Sequence, residues 1–143
     1  MRTGRRGTLG VSRYCLDTSA YSRFQRGDAR VVELVDQADW IGMSAIVLGE
    51  LRVGFLLGSR REENEELLRA FLANPAVEEL DVGPEVSRHY AEIVVNLRRT
   101  GTPIPTNDVW IAATAAQAGA IVLSYDDHFE AVARVGSMVL TKA

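Results

Sequence analysis

Residues 120–126 read Ala-Ile-Val-Leu-Ser-Tyr-Asp, and this stretch decides the fold. Four apolar residues in a row, preceded by Gly119, predict a short strand that is buried on both faces. Strands of this kind belong to parallel sheets that carry helices on either side. An acidic residue, Asp126, stands just beyond the strand end, where α/β proteins place their functional groups.

The rest of the chain repeats the alternation of strand and helix that this stretch implies. It predicts an α/β protein, a three-layer α/β/α fold with a mainly parallel, roughly five-stranded sheet. Strands are predicted over residues 11–16, 40–43, 77–82, 120–124 and 137–140, and helices over residues 19–26, 28–38, 45–57, 62–73, 84–100, 108–118 and 129–134.

Local signals set several of the predicted helix boundaries. Asp28 and Ser44 are N-cap candidates, and Pro84 stands where a first helical residue is favoured. Ser59 and Glu62 have the spacing of a capping box before the helix at 62–73.

Size and composition indicate one ordinary globular domain. The chain has 143 residues, a formal charge of −3 and a pI near 5.4, which argues against a broad basic nucleic-acid surface. Residues 1–13 carry four arginines among Gly, Thr and Ser, and we predict a flexible extension there, with a single domain over residues 14–143. A single cysteine, Cys15, and the absence of a long apolar run favour a cytoplasmic protein.

Four acidic residues lie beside apolar segments that are far apart in sequence: Asp17, Glu50, Asp108 and Asp126. In the predicted sheet, all four can reach the edge formed by the carboxyl ends of the strands. Converging carboxylates repel by about 3 kcal/mol per pair at roughly 5 Å and an effective dielectric near 20. A fold that gathers them needs a cation, and oxygen ligands suit Mg²⁺ or Mn²⁺.

Each acid also has a purely structural interpretation. Asp17 can cap the helix that follows, Asp108 is favoured near a helix start by the helix dipole, and Asp126 is a common turn residue. Glu50 lies on an apolar helix, where Arg52 or another arginine is its expected structural partner. The joint pattern, rather than any single acid, favours a metal site.

Several neighbouring polar residues are candidates for hydrogen-bonding these carboxylates: Thr18, Asn107, Ser124 and Asp127. Helix capping is the alternative for each of them. Because Asp126 and Asp127 are adjacent, we expect Asp126 to face the site and Asp127 to point away. His89 and His128 are too isolated for a zinc site, so we expect His128 to be a surface loop residue, with substrate contact as the alternative.

Four motifs resemble one known family in order and spacing. They are Leu-Asp-Thr-Ser-Ala from Leu16, Gly-Glu-Leu from Gly49, Thr-Asn-Asp from Thr106, and Ser-Tyr-Asp-Asp-His-Phe from Ser124. The chain is similar to PIN-domain nucleases, in particular the VapC-type toxins of toxin–antitoxin pairs. The resemblance implies that Asp17, Glu50, Asp108 and Asp126 are catalytic and bind Mg²⁺ or Mn²⁺ for RNA cleavage. It also implies a homodimer and an inhibitory VapB-type antitoxin.

Two other functions stay open within this fold: a PIN-domain nuclease that processes RNA without an antitoxin, and a catalytically inactive RNA- or protein-binding module. Other classes fit less well. An aspartyl phosphatase needs a second acid where Ser19 stands. A dinucleotide-binding domain needs a glycine-rich turn after the first strand, and Asp17-Thr18-Ser19 is not one.

Overall fold

The computed structural model describes residues 11–140 and contains five strands and six α-helices. The predicted extension lies mostly outside the described residues, although Arg13 already belongs to the first strand. In chain order the elements are β1 (Arg13–Leu16), α1 (Thr18–Gln25), α2 (Ala29–Gln37), β2 (Trp40–Ser44), α3 (Ala45–Leu57), α4 (Arg61–Leu72), β3 (Val77–Leu80), α5 (Pro84–Thr100), α6 (Thr106–Ala118), β4 (Ile121–Ser124), a 3₁₀-helix (His128–Ala131) and β5 (Ser137–Val139).

The sheet is parallel throughout, and its strand order is β3-β2-β1-β4-β5. Cys15 in β1 pairs with Gly42 on one side and with Val122 on the other. The strand order therefore reverses between β1 and β4. Since parallel strands end at a common edge, the segments after β1 and β4 leave the sheet side by side, where α/β proteins bind ligands. The predicted α/β/α fold with a five-stranded parallel sheet is confirmed.

The core lies between the sheet and the helices that cover it. Cys15 in β1 is buried, as expected, and burial raises the pKa of its thiol to about 12. Helix α6 packs small side chains against β2 and β4, which lets its backbone run close to the sheet. The largest fully buried side chains are Phe129, Leu16, Ile41, Met43, Leu68, Ile111 and Leu123.

Three predicted helix starts are confirmed and one is wrong. The Asp28 carboxylate caps α2 by accepting a hydrogen bond from the Arg30 amide at 3.2 Å. The Ser44 hydroxyl accepts a hydrogen bond from the Val47 amide at 3.1 Å, and Pro84 is the first residue of α5. The capping box of Ser59 and Glu62 does not form, because α4 begins at Arg61 and the residue before it makes no side-chain cap. No helix within residues 11–140 combines the length and apolar character needed to cross a membrane.

Candidate active site

Asp17 lies at the end of β1 and is almost fully buried, with 3% of its surface exposed. Its Oδ1 accepts hydrogen bonds from the Ala20 amide at 2.8 Å and the Ser19 hydroxyl at 2.7 Å. Its Oδ2 accepts from the Ser124 hydroxyl at 2.6 Å, across the junction with β4. Asp17 therefore caps α1 and is also held to the neighbouring strand. Burial raises the pKa of Asp17, its hydrogen bonds lower it, and the charge of Asp126 raises it further.

Two serine hydroxyls fix the chain where it leaves β4. Ser19 accepts a hydrogen bond from the Tyr125 amide at 2.9 Å, and Ser124 accepts one from the Asp126 amide at 3.0 Å. Both hydroxyls donate to the Asp17 carboxylate. The backbone of residues 125–126 is thereby tied to the Asp17 carboxylate, and Asp126 lies close enough to act on the pKa of Asp17.

Asp108 reaches the same region from the first turn of α6. Its Oδ2 lies 2.6 Å from Nδ1 of His128, and the same nitrogen lies 3.4 Å from Oδ1 of Asp126. Burial raises the pKa of Asp108, the hydrogen bond from His128 lowers it, and the charges of Asp126 and Glu50 raise it. The pKa of His128 is raised, chiefly by its hydrogen bond with Asp108 and also by the charges of the nearby aspartates.

Two side-chain donors hold Glu50, whose charge acts on the pKa of Asp108. The Thr18 hydroxyl donates a hydrogen bond to Oε1 of Glu50, and the Asn107 amide donates to Oε2 at 2.9 Å. Arg52 instead pairs with Glu65 at 2.8 Å, so the structural alternative in which Arg52 is the partner of Glu50 does not hold. Glu50 therefore faces the aspartates rather than an arginine.

Asp108 and Asp126 form one group of possible ligands with His128, whereas Asp17 and Glu50 lie outside this group. Asp17 is within electrostatic range of Asp126, and Glu50 is within electrostatic range of Asp108. Within residues 11–140, His128 is the only basic side chain that forms an ion pair with any of these four acids. The negative charge of Asp126 raises the pKa of Asp17. The negative charges of Asp126 and Glu50 likewise raise the pKa of Asp108. Oxygen atoms of Asp108 and Asp126 and a ring nitrogen of His128 lie within 4.8 Å of one another. This donor set fits a divalent cation, which offsets the repulsion.

The residues predicted to support the carboxylates divide into two groups. Thr18, Asn107 and Ser124 donate hydrogen bonds to site carboxylates. Asp127 is exposed, and its side chain makes no cap for the 3₁₀-helix that follows it. Its part in the site stays a prediction.

His128 is the residue that the sequence interpretation undervalued. It was expected to be a surface loop residue, and although its side chain is 43% exposed, its ring contacts two of the four acids. Its amide also donates to Oδ1 of Asp126 at 3.0 Å, which closes a tight turn. The sequence does contain a signal for this turn. Asp126 stands two residues before His128, and Asp side chains commonly accept a hydrogen bond from the backbone amide two residues later in the chain.

The chain is similar in sequence to proteins of one known family. The PIN domain family model matches residues 14–135. Ribonuclease VapC4 of Mycobacterium tuberculosis is 36% identical over 94 residues, covering 66% of this chain and 72% of the relative. Ribonuclease VapC5 of the same organism is 28% identical over 127 residues, which cover 89% of this chain and 93% of the relative.

Solved structures show the same fold. The M. tuberculosis VapBC-5 structure, a member of the VapBC family of toxin–antitoxin systems, superposes with a TM-score of 0.72 at 28% identity. That comparison covers 90% of this chain and 99% of the matched one. The parallel sheet, the four carboxylates at its carboxyl edge and the family match over most of the sequence lead to one assignment: the chain belongs to the PIN-domain family.

Proposed function

We propose that this protein is a metal-dependent endoribonuclease and the toxin of a VapBC-type toxin–antitoxin pair. The observation that carries the proposal is the convergence of four carboxylates at the β1–β4 junction without an arginine or lysine partner among the described residues. Its relatives are named ribonucleases, and its structural neighbours include VapBC toxin–antitoxin proteins. The substrate is RNA, and the bond hydrolysed is its phosphodiester.

Asp17, Glu50, Asp108 and Asp126 are proposed to hold Mg²⁺ or Mn²⁺. When bound, such a cation lowers the pKa of water and stabilises negative charge on the phosphate and the leaving oxygen. The chain's own hydrogen bonds hold the ligands in place beforehand: Ser19 and Ser124 orient Asp17, while Thr18 and Asn107 orient Glu50. Preorganised ligands lose little freedom when the ion binds.

The antitoxin and a second copy of the chain are the proposed protein partners. Helix α3 exposes three apolar side chains, Val53, Leu56 and Leu57, the last of which is 84% exposed. Exposed apolar side chains grouped on one helix face mark protein contacts. Elsewhere on α3, a groove of about 410 Å³ lies between α1, α3 and α4, and Tyr21, Leu51 and Phe55 help to line it. Grooves between helices accept amphipathic helices.

The experiment that tests the proposal is incubation of purified protein with a mixed RNA pool, followed by mapping of the cut ends. We expect defined internal cuts with Mg²⁺ or Mn²⁺, no cutting in EDTA, and inhibition by the product of a neighbouring antitoxin gene. Cleavage that continues in EDTA would contradict metal dependence. Intact RNA under every condition would favour the inactive binding module, and cleavage with no antitoxin gene nearby would favour an RNA-processing nuclease.

A further inference from the structure

We propose that Nδ1 of His128 is itself a ligand of the divalent cation, beside Asp108 and Asp126, and that this nitrogen makes the site prefer Mn²⁺ to Mg²⁺. The inference deepens the proposed function and rests on its metal centre. It adds a nitrogen donor to a site otherwise built from carboxylate oxygens.

The positions of the three side chains carry the proposal. Nδ1 of His128 lies 2.6 Å from Oδ2 of Asp108 and 3.4 Å from Oδ1 of Asp126. Two ligands at right angles, each about 2.1 Å from one octahedral ion, lie about 3 Å apart. The two observed separations lie on either side of that value, so small side-chain adjustments place all three atoms around one ion.

The local backbone keeps the imidazole in this position. The His128 amide donates to Asp126 Oδ1 at 3.0 Å, so the turn that presents the ring is closed by one of the proposed ligands. The next residue, Phe129, is fully buried and anchors the 3₁₀-helix in the core. The ring faces the acids as a consequence of the fold, and its 43% exposure leaves the site open to solvent ions.

The chemistry of the donors gives the expected selectivity. Mg²⁺ is a hard ion that favours oxygen ligands and exchanges its water reluctantly. Carboxylate oxygens suit both Mg²⁺ and Mn²⁺, whereas imidazole nitrogen suits first-row transition metals. Mn²⁺ is the weakest-binding member of that series and Mg²⁺ does not belong to it, so an added nitrogen ligand favours Mn²⁺ of the two ions. A site made only of carboxylates lacks a nitrogen ligand that would favour Mn²⁺ over Mg²⁺. His128 is therefore the residue that makes the site distinguish the two ions.

The alternative is that His128 only donates a hydrogen bond to Asp108. His128→Asn separates these roles, because its side-chain amide can still donate a hydrogen bond but offers no imidazole nitrogen to an ion. The matched control is His89→Ala, which removes the other histidine of the chain. His89 lies away from the acids, where it contacts Gln117 and Arg134.

The test is pulsed electron paramagnetic resonance of Mn²⁺ bound to EDTA-stripped protein without RNA, with Mn²⁺ and Mg²⁺ affinities measured in parallel. We expect coupling of Mn²⁺ to a histidine nitrogen in the unsubstituted protein and in His89→Ala, and loss of that coupling in His128→Asn. Mn²⁺ affinity should fall at least about tenfold in His128→Asn, and Mg²⁺ affinity should fall by less. Isotopic labelling of histidine in the unsubstituted protein identifies the coupled nitrogen without relying on any variant.

Three results would overturn the inference: no histidine coupling in the unsubstituted protein, coupling that persists in His128→Asn, or an unchanged ratio of Mn²⁺ to Mg²⁺ affinity. In each of these the ion still binds and the proposed metal centre stands. Failure of the unsubstituted protein to bind either ion would overturn both the inference and the metal centre.

Discussion

Replacing Asp108 with asparagine is expected to lower metal-dependent RNA cleavage by about 10²–10³-fold, the loss typical of removing one preorganised electrostatic group. Asp108 contacts His128 and lies within electrostatic range of Asp126 and Glu50, so it stands at the centre of the cluster. Burial and like charges raise its pKa, which means that the folded protein disfavours the ionised form. The neutral amide should therefore leave the metal-free protein no less stable.

The matched control for this substitution is Asp127→Asn. It removes the same charge from an exposed position next to Asp126 in the sequence. We expect it to keep nearly all of the cleavage activity, as measured by initial rates on one RNA substrate. Full activity in Asp108→Asn, or an equal loss in both variants, would show that the site is misassigned.

Phe129→Ala is expected to lower the free energy of unfolding by about 3–5 kcal/mol. Phe129 is fully buried and is the largest side chain in the core with no exposed surface, and it anchors the 3₁₀-helix that begins at His128. Domains of this size are stable by only about 5–15 kcal/mol, so the loss is a large fraction of the total.

Urea denaturation of the EDTA-stripped protein measures this effect. Val95→Ala is the control, because Val95 is also apolar but is 44% exposed on α5, where substitutions change stability by about 0.5 kcal/mol or less. A loss below about 1 kcal/mol for Phe129→Ala would mean that the segment after β4 is not packed as described.

The fold was predictable because its signals are local. The apolar run at residues 120–123 and the regular alternation of strands and helices were sufficient to predict a five-stranded parallel sheet. The failures come from competition between neighbouring side chains. Arg60, for example, is the residue before α4 and pairs with Glu63 at 2.7 Å, whereas the predicted capping box joined Ser59 to Glu62.

The proximity of Asp108 and Asp126 was also predictable, because Asp126 follows β4 and Asp108 lies in the first turn of the helix before that strand. The basic side chains that do or do not contact these acids were not predictable. His128 contacts Asp108 across 20 residues, and the contact depends on a 3₁₀-turn that no propensity specifies. Arg52 pairs with Glu65 rather than with Glu50 because of the way α3 and α4 pack, and sequence spacing does not reveal that packing.

The most direct test of the central claim is a calorimetric titration of Mn²⁺ into EDTA-stripped protein, compared with Asp108→Asn. We expect saturable binding to the unsubstituted protein and stabilisation against unfolding by about 2.7 kcal/mol at 100 times the dissociation constant. Binding to Asp108→Asn should be weaker by at least about tenfold. No saturable binding, or identical binding by the two proteins, would contradict the claim that these carboxylates are gathered to hold a cation.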